Sequence, residues 1–234
     1  TVVRVADLYV DCGFESADEA DAAGVRIGTP VVYAPGSFAM GAHRVTGPAV
    51  DDRAGCAVLI EVARALAKRT GGPTVHLAFT TQEEFNLRGA LPLAQRLLPD
   101  IALQVDLMLA TDTPDTTGRG DMRLGGGAGM SLYSFHGRGT LNGVIPHPAL
   151  VRLFEETAGA EAMPLQRSAQ TGVLTDLSYV QLVGEGVAAL DVGFPMRYSH
   201  SSREVVDLRD LESLRDLLIA ALARIGPEFS LSRD

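Results

Sequence analysis

The chain has 234 residues, 46% of them hydrophobic, which suffices for a sizeable buried core in one or two domains. A formal net charge of −9 argues against nucleic acid or an anionic membrane as partner, since either calls for a basic face. Cys12 and Cys56 are too few and too scattered for a disulfide framework or a thiolate metal site, and no apolar run reaches membrane-spanning length; the expected location is cytoplasmic.

Residues 1–47 read as β-rich, with strands at Leu8 to Cys12 and Pro30 to Tyr33 and turns punctuated by Gly24, Gly28, Gly36, Gly41 and Gly47. Between those strands, Ser16-Ala17-Asp18-Glu19 has the form of a capping box opening a short helix over 17–23. From residue 48 onward helices and strands alternate. Helices are expected at 54–68, 88–97, 147–158, 174–182 and 207–225, and strands at 74–80, 101–110, Met130 to Phe135 and Val187 to Val192. Alternation on this scale implies an α/β fold, a sheet covered by helices on both faces.

The chemistry gathers at strand ends, where α/β folds collect ligands. Thr80-Thr81-Gln82-Glu83-Glu84 closes the apolar run Val75 to Phe79 with two adjacent carboxylates. A carboxylate pair that cleaves a glycosidic bond must stand several ångströms apart, about 5–9 Å, so neighbouring acids at a strand end more plausibly divide their tasks. One can hold a metal while the other moves protons. Asp51 and Asp52 follow Pro48-Ala49-Val50 at a strand-to-helix junction, where capping the helix is the simpler alternative. Asp106 ends the strand that starts at Ile101, and His200 follows the run Val187 to Val192. Oxygen ligands with one imidazole, and acids to spare, suit two zinc, cobalt or manganese ions.

Four stretches carry a resemblance: Asp51-Asp52-Arg53-Ala54-Gly55-Cys56, Thr81-Gln82-Glu83-Glu84-Phe85-Asn86-Leu87-Arg88-Gly89-Ala90, Asp106 with Asp112-Thr113-Pro114, and Arg197-Tyr198-Ser199-His200-Ser201. Together they resemble the M42 family of metallo-aminopeptidases, and the similarity runs through essentially the whole chain. The resemblance implies a mixed sheet flanked by helices, a zinc-peptidase-like catalytic domain over 48–234, with a small β-barrel-like assembly domain over 1–47. It implies two divalent ions, zinc or cobalt and possibly manganese. Asp51, joined to Asp52 by a cis peptide bond, would bridge them; Glu84 would be a ligand to one ion, and Asp106 and His200 the terminal ligands, one to each. Glu83 would be the general base, with Asp52 beside it in the catalytic set. Thr175 and Asp176 would line the substrate cleft, although Asp176 could equally cap a helix. Arg53 and Arg88 follow the acid motifs closely and are assigned to orienting those carboxylates. Short peptides are the implied substrates, and copies of the same chain the implied partners, as dimers building a dodecamer.

The family's first ligand, a His-x-Asp motif, matches none of His43, His76, His136, His147 and His200, so the chain reads as one lacking that N-terminal segment. Two alternatives stay open: a hydrolase of another amide or ester on the same site, and a catalytically impaired assembly subunit. Simpler roles suit several other residues. Gly125 to Gly129 lacks the lysine of a phosphate loop and reads as a tight turn in a cleft wall. His76 reads as a core histidine, His43 as a turn residue, and His136 and His147, which flank the glycine-rich stretch Gly137 to Gly143, as structural or surface residues.

Overall fold

The apolar run that opens at Val187 becomes the strand on which the rest of the fold is assembled. In the computed structural model, which describes residues 3–137 and 142–233, that strand extends to Arg197 and is buried on both faces over nearly its whole length. Two compact units are distinguished, Thr1–Ala34 and Pro35–Asp234.

Among the described residues of the second unit the strands are β1 Phe38–Met40, β2 Arg44–Gly47, β3 Ile101–Leu109, β4 Ala128–Phe135, β5 Gly143–Val144, β6 Leu165–Thr171, β7 Ala188–Arg197 and β8 Glu204–Asp207. They form one mixed sheet in the order β1-β2-β8-β7-β4-β5, with β3 parallel to β7 and β6 parallel to β4. Continuous β-branched and aliphatic sequence suits a strand covered on both sides. Alternate residues of β7 serve opposite faces. Leu190, Val192, Phe194 and Met196 meet the core formed with α2 Val50–Leu66, α4 Pro148–Ala160 and α6 Leu208–Ala223. Ala189 meets a smaller core with α3 Ala90–Leu97 and α5 Leu177–Val180. Full burial of side chains such as Phe154, Leu150 and Leu214 stabilises by roughly 1.5–3 kcal/mol each.

Local chemistry sets the element ends. His147 caps α4, its Nδ1 accepting from the Ala149 amide at 3.3 Å, a structural part of the kind expected for it. Asp207 caps α6 by accepting from the Arg209 amide at 3.1 Å. Gly125 and Gly127 form a tight loop because the buried Asp210 carboxylate accepts both of their amides at 2.7 Å.

The first unit comprises residues 1–34. It holds a single α-helix among its described residues, α1 Ala17–Ala22, capped as the sequence indicates: Ser16 Oγ accepts from the Glu19 amide, and Glu19 reaches back to the Glu15 amide at 2.8 Å. Leu8 to Cys12 and Pro30 to Tyr33 form no strand, so the expected small β-barrel is not found. Their side chains remain largely exposed, Tyr9 and Val32 among them. Residues 38–47, placed by sequence in that first domain, instead enter the main sheet through the β2–β8 pairing.

Three further expectations are corrected. Residues 74–80 join no ladder among the described residues. Val75 and Leu77 do pack against the main core while His76 is exposed, so the pattern of a strand is present without a hydrogen-bonded neighbour, and His76 is not a core histidine. The helix expected over 174–182 contracts to α5, one turn long. The strand β6, Leu-Gln-Arg-Ser-Ala-Gln-Thr, has no apolar run to reveal it and exists through its pairing with β4. Of the glycine-rich stretch Gly137 to Gly143, residues 138–141 lie outside the described residues.

Candidate metal centre

Three turns of the second unit converge on one point. Asp51 stands at the start of α2, joined to Asp52 by a cis peptide bond, both with non-helical backbone. Glu84 lies on the loop between residue 80 and α3, and His200 on the turn between β7 and β8. His200 Nε2 is 3.1 Å from Asp51 Oδ2 and 3.2 Å from Glu84 Oε2, and one ligand atom from each of the three lies within 4.8 Å of the others. Ligands about 2.0–2.2 Å from a tetrahedral ion sit roughly 3.4 Å apart, close to the spacing of the two contacts to His200.

The backbone around the triad is held in an unusual state. Ala49, Gln82, Asn86, Leu87, Tyr198 and His200 itself all have positive φ, between 51° and 68°. Each costs of order 1–2 kcal/mol for a residue with a side chain, and strain of this kind clusters where geometry serves a site.

The remaining acids surround the triad without joining it. Asp106 lies within β3 rather than at its end; its Oδ1 accepts the Leu107 amide at 2.7 Å. The strand partner beside it must be glycine, because a Cβ on Gly193 would stand 1.8 Å from the Asp106 carbonyl oxygen. Asp52 Oδ1 accepts the Gly55 amide at 2.9 Å, so the capping alternative is realised there while Asp51 is left to face His200. Glu83 is half-buried on the same loop as Glu84.

So many carboxylates in one place hold on to protons. Burial, then Asp106 and Glu84, pushes Asp51 up to about 7, with His200 opposing. Burial and Asp106 push Asp52 up to about 9, against the pull of the Gly55 amide. Burial, then Asp106 and Asp176, lifts Glu83 to about 8, and burial lifts Asp106 to about 7. The donor set is oxygen-rich with one imidazole and has a surplus of negative charge, and both properties fit divalent cations.

Thr175 and Asp176 are buried beside this cluster. Thr175 Oγ1 donates to Asp191 Oδ1 at 2.7 Å, and Asp176 accepts from Thr80 Oγ1 at 2.9 Å instead of capping α5. Asp191 was not singled out from the sequence; it borders, with Asp106, Ser131 and Thr175, a cavity of about 30 Å³, room for a water molecule. Among the described residues neither arginine bonds directly to the acids. Arg53 donates to the carbonyls of Pro48 and Ala49, bracing the turn that presents Asp51, and Arg88 lies over the Phe85 ring, 4.5 Å from its centroid. Arg197 instead makes a two-pronged ion pair with Asp112, both contacts 2.7 Å, tying the end of β7 to the loop after β3. Glu204, also overlooked in the sequence, is buried and accepts the backbone amides of two residues of the triad, Asp51 at 3.0 Å and His200 at 2.9 Å. Its position four residues after His200 is the only signal that could have flagged it.

A mixed sheet flanked by helices carries a carboxylate–imidazole triad on the turns around its strands, a donor set suited to a divalent cation. The particular family follows from the sequence: residues 1–217 match the M42 glutamyl aminopeptidase model, and the chain belongs to that family. It is 37% identical over 228 residues to SgcX of Escherichia coli (strain K12), which bears a provisional aminopeptidase name; the match covers 97% of this chain and 61% of that protein. Aminopeptidase APDkam598 from the archaeon Desulfurococcus kamchatkensis superposes with a TM-score of 0.90 at 33% identity, over 98% of this chain and 62% of that one. The TET1 peptidase of Pyrococcus horikoshii, described as able to assemble into a tetrahedron or a large octahedral shell, gives a TM-score of 0.75 at 29% identity, over 90% of this chain and 59% of that one. The chain thus spans about three fifths of the length of these relatives.

Proposed function

We propose that this chain forms the catalytic part of a two-metal aminopeptidase that removes N-terminal residues from short peptides. The observation that carries the reading is the meeting of Asp51, Glu84 and His200 ligand atoms within 4.8 Å of one another. These three would hold one divalent ion, zinc or cobalt by ligand type, and Asp51 with Asp106 would offer oxygens to a second. Bound there, divalent ions supply the positive charge that acidifies a water molecule and polarises a peptide carbonyl.

The protein's own part is proton transfer and positioning. Glu83 lies next to Glu84 yet outside the triad, and its crowded, half-buried carboxyl is drawn toward a proton. Cation charge beside it would draw its pKa back toward neutrality, where a carboxylate can take a proton from the attacking water and return it to the leaving amine. Thr175 and Asp176, fixed through Asp191 and Thr80, form the wall against which the substrate would lie. Relatives that assemble into closed shells support self-association of this chain, for which the exposed apolar residues 3–34 are the natural surface.

The test is Glu83→Gln. It should retain zinc at the wild-type stoichiometry and lose turnover of a dipeptide amide by roughly 10²–10⁴-fold, the range for a general base. A variant that keeps near-normal turnover removes Glu83 from the role. Activity on N-acyl or ester substrates, with none on free N-terminal peptides, would replace the aminopeptidase reading.

A further inference from the structure

We infer that Glu204 is a positioning residue that sets the spacing between Asp51 and His200, and through it the affinity of the triad for metal. The inference rests on the metal-site reading above. Asp51 comes from the non-helical start of α2 and His200 from the turn between β7 and β8, segments remote in sequence, and neither residue has the backbone of regular secondary structure. His200 has a φ of 59°, a state that its own sequence does not favour.

One carboxylate spans the gap. Glu204 Oε2 accepts the Asp51 amide at 3.0 Å and Oε1 accepts the His200 amide at 2.9 Å. The side chain is 2% exposed and its backbone is pinned in the sheet, opposite Gly47 of β2. It contributes no ligand atom to the triad, so its effect passes through the two residues it holds. A further buried acid beside this cluster raises Asp51 and adds to the repulsion already present. Glutamine would fill the same space without that charge. What glutamine lacks is a second acceptor: its amide offers one oxygen and one NH₂, so one of the two N–H groups would face a donor. Two acceptor oxygens, each taking one ligand-bearing amide, are the property that requires a carboxylate here.

The experiment uses the full protein and zinc as the probe. In the wild type, hydrogen exchange should show the Asp51 and His200 amides protected. Glu204→Gln should lower zinc affinity, measured by competition with a chromophoric chelator, by about 10–100-fold, the usual cost of losing a group that orients a ligand. Activity at limiting zinc should fall in parallel and recover with excess zinc, a rescue that a merely structural defect would not show. Glu204→Asp, which keeps both oxygens but is one methylene short, should also weaken zinc binding. If Glu204→Gln fails to fold, wild-type amide exchange and Glu204→Asp decide the matter. Freely exchanging amides in the wild type, or folded variants with zinc affinity within twofold of wild type, overturn the inference and leave the peptidase reading standing. A wild type that binds no zinc sinks that reading and this inference with it.

Discussion

Stripping the metal should make this protein lose stability as pH rises through neutrality, contrary to the behaviour of most paired surface acids. Asp52 contributes most, lifted to about 9 by burial and by Asp106. In the unfolded chain its carboxyl returns to about 3.9. A group with its folded pKa raised gives stability that is complete below the unfolded value and is lost as pH climbs through the folded one. Between pH 7 and 8 the native state therefore holds a proton that the unfolded state has released. One such proton costs about 1.4 kcal/mol of unfolding free energy per pH unit. Glu83, raised to about 8, acts in the same direction over this interval, as do Asp51 and Asp106 at its lower edge. His147, lowered by burial, opposes them, but only at more acidic pH, where its unfolded form is protonated. Urea unfolding at pH 7.0 and 8.0 with a chelator present should show a loss of at least about 1 kcal/mol. With zinc bound, cation charge replaces the protons and the slope should flatten. A chelated protein equally stable or more stable at pH 8 would show that these acids are not crowded as described.

Other consequences can be checked on the same preparations. Asp210→Ala removes the acceptor of two amides in the Gly125–Gly127 loop, each bonded at 2.7 Å. At about 1.5–3 kcal/mol for a bond to a charged group, unfolding free energy should fall by roughly 3–6 kcal/mol, while Asp210→Asn, keeping one acceptor, should lose about half of that. A loss under about 1 kcal/mol for the alanine variant would contradict the assignment. Gly55→Ala would place a Cβ 2.3 Å from Asp52 Oδ2. Displacing that cap and overpacking the turn should cost roughly 2–4 kcal/mol in a denaturant titration. Since Asp51 is the neighbouring residue, zinc affinity should fall as well; an unaltered melt and affinity would mean that the turn yields without strain.

The readable parts of this chain are those whose signal is local. The central strand is a run of apolar residues with no polar interruption until Asp191, and α2, α4 and α6 show apolar spacing that serves one buried face. Both acids at the start of α2, the pair at Glu83 and Glu84, and His200 declare themselves by standing where apolar runs stop. Where sequence reasoning failed, the missing information lay elsewhere in the fold. Residues 74–80 alternate like a strand yet have no ladder, and Leu165–Thr171 lacks the pattern yet pairs along β4, because a ladder depends on a neighbour that the segment does not encode. The same holds for Arg53, which stands beside an acid in sequence but bonds to carbonyls in space.

By itself, then, the sequence determined which residue types could serve a metal and proton chemistry, and the family in which they are used. Only the tertiary structure decided how they are shared out. It directed Asp52 to a helix amide and Asp51 to His200, left Asp106 within a strand, and set one buried glutamate, Glu204, behind Asp51 and His200. The physical reason is that donors and acceptors are satisfied by distance and direction, and for groups brought together from separate turns these exist only after the chain has folded.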